Sequence, residues 1–162
     1  MLDILRPIYD FNLKYAQQLV ADVPDERMCV QPVAGQVMNH AAFLLGHLAW
    51  TSDSAVGLLG GQPIGAAAWK ELVGMGATPS EDRALYPSKA ELLKALEDAH
   101  GRLIAAASTA TPELLAQPAP ERLRARFRTI GNALAGVMTA HESMHLGQLS
   151  AWRRAQGLPS VF

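Results

Sequence analysis

The segment from Met28 to Ser52 contains no Asp, Glu, Lys or Arg, which limits the structures that this chain can form. A helix that spans a membrane needs about 20 consecutive, mostly apolar residues. Polar residues, glycines and a proline interrupt the segment, so that its dense apolar block runs only from Ala41 to Trp50. We therefore expect a helix that is buried in a protein core and does not cross a membrane.

Apolar residues at helical spacing predict four long helices, over 3–22, over 36–59, from Ser88 onward and over 130–155. The third helix has the clearest start, because Ser88 and Glu91 match a capping box. Helices with one apolar face and little strand content are typical of an all-α four-helix bundle. We expect a single domain of this class over residues 1–162, with functional side chains that project into the core from facing helices.

Two long connectors separate these helices and should carry short helical turns, which are predicted over 66–73, from Thr78 and from Thr111. In the second connector, arginine occupies every other position, which predicts an extended segment. That segment would present four arginines on one side, namely Arg122, Arg124, Arg126 and Arg128. They are candidates for binding an anionic cofactor, since arginine pairs with carboxylates and phosphates, although a solvated edge is the simpler interpretation.

Charge and cysteine content narrow the range of partners and locations. The chain has 14 Lys and Arg and 15 Asp and Glu, so that its net charge is close to zero. Nucleic-acid binding needs a concentrated basic surface, which this charge balance does not favour. The N-terminal residues lack the basic start and apolar run of a secretory signal. The single cysteine, Cys29, cannot form an internal disulfide and suits a reducing compartment. We therefore expect a cytoplasmic protein that binds neither nucleic acid nor a membrane.

The histidines carry the strongest functional signal. His141 and His145 lie four residues apart on the apolar face of the last predicted helix, so that both imidazoles can reach one ion. If an imidazole is buried in a core without a hydrogen-bond partner, it lowers the stability of the fold by about 1–3 kcal/mol. His47 lies in the apolar block of the second helix, and by itself it would be read as a hydrogen-bonded core histidine. Taken together, the three predict a divalent metal site with coordination positions left open for reaction.

The sequence from His141 to His145 also matches the His-Glu-x-x-His signature of zinc proteases, in which the glutamate is the general base. Further elements of those classes are missing, because Gln148 and Ala151 stand where metzincins have a glycine and a third histidine, and residues 146–162 contain no Asp or Glu for a downstream ligand. A protease is therefore disfavoured. Glu142 stays a candidate for orienting a ligand or moving a proton, although a solvated position on another face of the helix is the simpler interpretation.

Four other polar residues near these positions have weaker signals. Thr51 and Gln148 each follow a histidine of the trio by one turn and are candidates to hold the metal ligands in place. His40 lies about 10.5 Å along the helix axis from His47, too far to share one ion easily. We interpret His40 as a hydrogen-bonded core or interfacial histidine, or as part of a pocket wall, and His100 as structural.

Three segments together resemble the DinB/YfiT-like superfamily over essentially the whole chain. They are Asn39–Trp50 (NHAAFLLGHLAW), His141–Gln148 (HESMHLGQ) and Arg153–Pro159 (RRAQGLP). The resemblance implies a four-helix bundle, often a homodimer, with a zinc, nickel or similar ion on one histidine of the second helix and two of the fourth. The three histidines named above take those places.

The resemblance also implies a reaction class. Characterised relatives include transferases and isomerases that use mycothiol, bacillithiol or glutathione, in which the metal activates the cofactor sulfur. We therefore expect a metal-dependent transferase that uses a low-molecular-weight thiol and a small-molecule substrate. A hydrolase that uses metal-bound water, or a non-catalytic, stress-related metal- and ligand-binding protein, are the alternatives.

Overall fold

A computed structural model of the chain describes residues 2–161, apart from the side chain of residue 67. Helices account for the regular structure of this range, and the extended pairing within it is an isolated bridge between Pro118 and Thr129. The helices are α1 (Leu2–Val20), α2 (Ala41–Leu58), α3 (Lys70–Val73), α4 (Lys89–Thr109), α5 (Pro112–Ala116), α6 (Ile130–Gly136) and α7 (Glu142–Ala155). A π-helical segment, Val137–His141, joins α6 to α7 in one long run. The all-α prediction is confirmed.

α2 is the most deeply buried helix, which explains the missing charges of the Met28–Ser52 segment. Its residues from Ala41 to Ala49 are all buried, and it packs mainly against α4 and also against α7. The one acidic residue of α2, Asp53, is fully buried and forms an ion pair with Arg102 of α4. None of the helices in the described range is both long and apolar enough to cross a membrane.

The start of α2 differs from the prediction. The helix begins at Ala41 and not at Gln36. The residues between them are held in a non-helical path, because the Gln31 side chain bonds both backbone groups of Met38, at 2.9 and 2.7 Å. Apolar periodicity could not show this boundary, since it depends on a side chain from outside the helix.

His40 is the N-cap of α2, and both of its ring nitrogens have partners. Nδ1 accepts the backbone N–H of Phe43 at 3.2 Å, and Nε2 donates to the carbonyl of Ser80 at 2.8 Å. Of the roles expected for His40, the structure supports that of a hydrogen-bonded core histidine. The turn predicted from Thr78 is wrong, because Ser80 binds His40 and the helical turn forms later, at Arg83–Leu85.

The other start signals are reproduced by the structure. Ser88 and Glu91 form the predicted capping box at the start of α4, with each side chain bonded to the backbone of the other. Thr111 caps α5 by accepting the N–H of Leu114 at 3.2 Å. These motifs are local, which is why the sequence alone could place them.

The extended segment predicted for the four arginines is wrong. The chain instead forms a 3-10 turn at Glu121–Leu123 followed by further turns. The Leu123 carbonyl accepts the backbone N–H groups of both Arg126 and Phe127, each at 2.9 Å. Alternation favours a strand only where a neighbouring strand can pair with it, and the described part of this chain offers none over these residues.

Candidate metal centre

Three helical segments bring the predicted histidines together. His47 comes from the middle of α2, His141 from the end of the π segment, and His145 from the first turns of α7. One ring nitrogen from each lies within 4.8 Å of the other two. The Nε2 atoms of His47 and His141 are 3.2 Å apart. The cluster is therefore compatible with a shared metal ion.

Hydrogen bonds orient two of the three rings. Nδ1 of His47 donates to the carbonyl of Val73 at 2.6 Å, and Nδ1 of His145 donates to Oε1 of Gln148 at 3.0 Å. A carbonyl or amide oxygen can only accept, so each Nδ1 carries the proton and each Nε2 keeps a free lone pair. Nε2 of His47 can therefore accept a hydrogen bond from Nε2–H of His141, 3.2 Å away, or share a metal ion with that ring.

The protein also holds Gln148 in its orientation. Nδ2 of Asn39 donates to the same Gln148 Oε1 at 3.0 Å. Two donors on one oxygen determine which way the amide points, and that in turn determines the tautomer of His145. Gln148 was among the predicted supporting residues, and Asn39 was not assigned a role.

His141 occupies the last position of the π segment. Single π turns within α-helices are rare and are frequent at functional sites, because the wider turn displaces one side chain from its α-helical direction. Thr139 accommodates the segment by donating its hydroxyl to the Ala135 carbonyl at 2.7 Å. Nδ1 of His141 is buried, and the described residues supply it with no hydrogen-bond partner.

Burial keeps the cluster neutral. It lowers the pKa of His141 to about 3, with the charges of the two neighbouring histidines as the next causes. Burial is also the largest cause of the lowered pKa values of His47 and His145. Neutral imidazole is the form that binds metals. On a tetrahedral ion with 2.0–2.1 Å bonds, two nitrogens lie about 3.3 Å apart, so that the 3.2 Å separation fits such an ion.

The expectation that Glu142 is solvated is wrong. Its exposure is 2%, and its Oε2 has no hydrogen-bond partner in the described range. Burial raises its pKa well above the usual range, while a hydrogen bond with Asn12 of α1 lowers it. The reason for the burial is that α7 packs against α1 as well as α2, which gives it two buried sides.

The remaining candidates lie outside the cluster. His100 is structural, as predicted, with Nε2 2.9 Å from Asp10 Oδ1 and its ring stacked on Tyr9 at 3.8 Å. Thr51 has a buried hydroxyl for which the described residues provide no partner. The four arginines of the second connector are all exposed: Arg122, Arg124, Arg126 and Arg128.

Val73 is the residue that sequence reasoning missed. It ends the short helix α3, and its carbonyl orients His47 although the two lie 26 residues apart. Every residue has a carbonyl, so no sequence signal could have marked this one. The Asn39 amide at least had a weak signal, since it lies within the first of the three quoted motifs.

Comparison with known proteins places this arrangement in a family. The model of the DinB superfamily matches residues 8–149, which include the three histidines and all seven helices in whole or in part. The chain belongs to the DinB superfamily. No curated protein and no solved structure matches the chain significantly. In this member of the DinB superfamily, membership and the three-histidine cluster are together compatible with a metal-binding protein.

Proposed function

We propose that the chain is a metal-dependent transferase that joins a low-molecular-weight thiol to a small-molecule electrophile. The observation that carries the proposal is the convergence of three imidazoles, with one ring nitrogen of each within 4.8 Å of the other two and pKa values that burial lowers. Three nitrogen ligands leave positions for other molecules, whereas closed structural sites use four protein ligands. Zinc or nickel suits this donor set. The proposal also includes a single domain that works as a cytoplasmic homodimer.

The residues around the cluster prepare the site for this chemistry. A divalent ion held by the histidines would lower the pKa of a bound thiol, so that thiolate forms near neutral pH. The Phe43 ring is nearly parallel to that of His47, with 6.0 Å between centroids, and Trp50 lies 5.9 Å away. These aromatic rings flank His47, whose exposure is 8%.

Hydrolysis by metal-activated water has less support. It requires a base on the open side of the site that takes the proton from water. Glu142, the carboxylate next to His141 in the sequence, is buried and bonded to Asn12. The side chain that the protease signature would use as a base therefore faces α1.

The proposal is tested by reaction panels on the zinc-loaded and nickel-loaded protein. One panel combines small thiols with alkylating electrophiles, and the other contains esters and amides, with products measured by mass spectrometry. We expect metal-dependent thioether formation that is lost in His47→Ala. Turnover of esters or amides alone would refute the thiol transferase in favour of a hydrolase, and metal binding without any turnover would favour a binding protein.

A further inference from the structure

A cavity of about 260 Å³ shares a wall with the metal centre. It lies between the segment before α2 and the outer face of α7, and its lining residues are Val37, Met38, Asn39, Gln148 and Ala151. One hydrogen bond connects this wall to the cluster, because Oε1 of Gln148 accepts Nδ1–H of His145 at 3.0 Å. A larger cavity, of about 580 Å³ along α4, is lined neither by the three histidines nor by the residues that orient them. The smaller cavity is therefore the one that can act together with the metal.

Hydrogen bonds fix the two walls of this cavity. The Gln31 side chain bonds both backbone groups of Met38, at 2.9 and 2.7 Å, and holds the segment before α2 in its non-helical path. The side chain of Asn39 donates to Gln148 on α7 at 3.0 Å and so joins one wall to the other. The cavity is thus formed before any molecule enters it, which lowers the entropic cost of binding.

The lining of the cavity is uncharged and carries two amide groups. Three of its side chains are apolar, and the other two belong to Asn39 and Gln148. The bonds described above use Nδ2 of Asn39 and Oε1 of Gln148. The other half of each amide, Oδ1 of Asn39 and Nε2 of Gln148, has no hydrogen-bond partner within the described range. An acceptor and a donor are therefore available beside an apolar surface.

We infer that this cavity binds an uncharged amide group of the molecule that reacts at the three-histidine site. The inference rests on the proposed function for the existence of such a molecule, and it adds a substrate class, namely small molecules that contain a neutral amide. An amide offers an N–H to Oδ1 of Asn39 and a carbonyl to Nε2 of Gln148, while its flanking carbons contact the apolar side chains.

The charge and the size of the cavity both restrict its occupant. A charged group would lose water there without meeting an opposite charge, which is unfavourable. Pockets that enclose a whole ligand usually measure about 300–1,000 Å³. A cavity of about 260 Å³ therefore suits one group of a molecule whose reactive atom lies at the metal.

The first experiment tests the amide site without a thiol. N-ethylacetamide is compared with methyl propyl ketone, in which CH2 replaces the amide N–H, by NMR titration of the protein with and without zinc. We expect N-ethylacetamide to shift the side-chain amide signals of Asn39 and Gln148. It should also bind about 5-fold more tightly than the ketone, as one ordinary hydrogen bond would give. Unshifted signals or equal affinities would overturn the inference, whatever the reaction panels show.

The second experiment connects the cavity to the metal. Calorimetry on the zinc-loaded protein compares N-acetylcysteamine, a thiol with an amide, with its ketone analogue, in which CH2 again replaces N–H. We expect the amide thiol to bind about 5-fold more tightly. If N-ethylacetamide binds in the cavity but neither thiol binds, the thiol transferase is refuted and the amide site stands. If both thiols bind equally, the inference is wrong and the transferase stands.

Two substitutions fill the cavity from its opposite walls, Ala151→Phe and Val37→Phe. We expect each to abolish the preference for the amide thiol with unchanged zinc content, because both native side chains are apolar and form no bond to the histidines. Ala155→Phe is the matched control, since it places the same ring at an exposed position of α7 outside the cavity and should keep the preference. A preference that survives in both filled variants, or an equal loss in the control, would contradict the placement of the amide.

Discussion

At the scale of single residues, the three histidines of the centre are supported unequally. His47 and His145 each donate Nδ1–H to an oxygen, from Val73 and Gln148. Nδ1 of His141 is buried without such a partner in the described range. A buried polar atom without a partner costs free energy. The His141 ring is therefore positioned by the backbone of its π segment and by the 3.2 Å contact of its Nε2 with Nε2 of His47, and a bound ion would take the place of that contact.

Replacement of one ligand should abolish most of the metal binding. In His145→Ala we expect the affinity for zinc to fall by more than about 100-fold, because even an outer partner of a metal ligand is worth about 10–100-fold. Elemental analysis of the purified protein, followed by competition with a chromogenic chelator, measures the change. Near-stoichiometric zinc in this variant would count against the three-histidine assignment.

The matched control for that variant is His100→Gln. His100 is also a buried histidine, but it bonds Asp10 and stacks on Tyr9 outside the cluster. We expect its zinc content to equal that of the wild-type protein. A comparable loss of zinc would show that the effect of His145→Ala comes from general destabilisation.

Gln148 is expected to act on the metal through His145. In Gln148→Leu the Nδ1–H of His145 loses its acceptor, and the affinity for zinc should fall by about 10–100-fold. Chelator competition on folded protein provides the measurement, with circular dichroism to confirm the helix content. Gln18→Leu removes an exposed glutamine of α1 and should bind zinc like the wild-type protein. Equal zinc affinity in both variants would exclude a role for Gln148.

At the scale of elements, the sequence predicted the capping box of α4 but not the π segment before α7. Apolar periodicity predicted one uniform helix over 130–155, and the structure interrupts it at Val137–His141. The capping box at Ser88 was recognised at once, because its residues interact with each other over a single turn. A local motif such as the Ser88 capping box can thus mark the start of a helix, whereas departures within a helix depend on the contacts of its neighbours.

The capping box should contribute measurably to stability. In Ser88→Ala the N–H of Glu91 loses its acceptor, and we expect a loss of about 1 kcal/mol in the free energy of unfolding. Urea unfolding monitored by circular dichroism measures it. Ser108→Ala is the control, because that hydroxyl lies near the other end of α4 and only donates to the Ala105 carbonyl at 2.7 Å. Equal effects of the two substitutions would mean that the cap contributes nothing specific.

At the scale of the whole molecule, His40 links two distant parts of the chain. It caps α2 and bonds Ser80 in the connector before α4. Burial lowers its pKa from the ordinary value of 6.5 to about 4, while the bond to Ser80 raises it. The unfolded chain therefore takes up a proton at His40 at a higher pH than the folded chain does.

This difference predicts that acid weakens the fold before the carboxylates titrate. The contribution of neutral His40 is complete above about pH 6.5 and is lost as the pH falls toward 4, with about 2 kcal/mol lost by pH 5. In His40→Asn an acceptor remains for the cap, but the titration is absent. Urea unfolding of the metal-free proteins should show a smaller loss between pH 7 and pH 5 in the variant. Equal losses would contradict the assignment to His40.

The sequence by itself determined the helical class, the start of α4 and the three histidines that meet at the centre. The reason is that these features depend on short-range patterns, namely apolar spacing, a capping motif and imidazoles one turn apart. The sequence also allowed a prediction that His47 faces the histidine pair of the last helix, because a helix bundle directs such side chains into one core.

Only the tertiary structure decided which groups surround that centre. Val73 reaches it from the connector before α4 and Asn39 from the segment before α2, Glu142 is buried because α7 meets α1 as well as α2, and the chain turns at the four arginines where alternation suggested an extended segment. Each depends on contacts between residues far apart in the chain. A pattern within one segment contains no information about the partner from another segment, and that partner decides the orientation, burial and charge of the side chains.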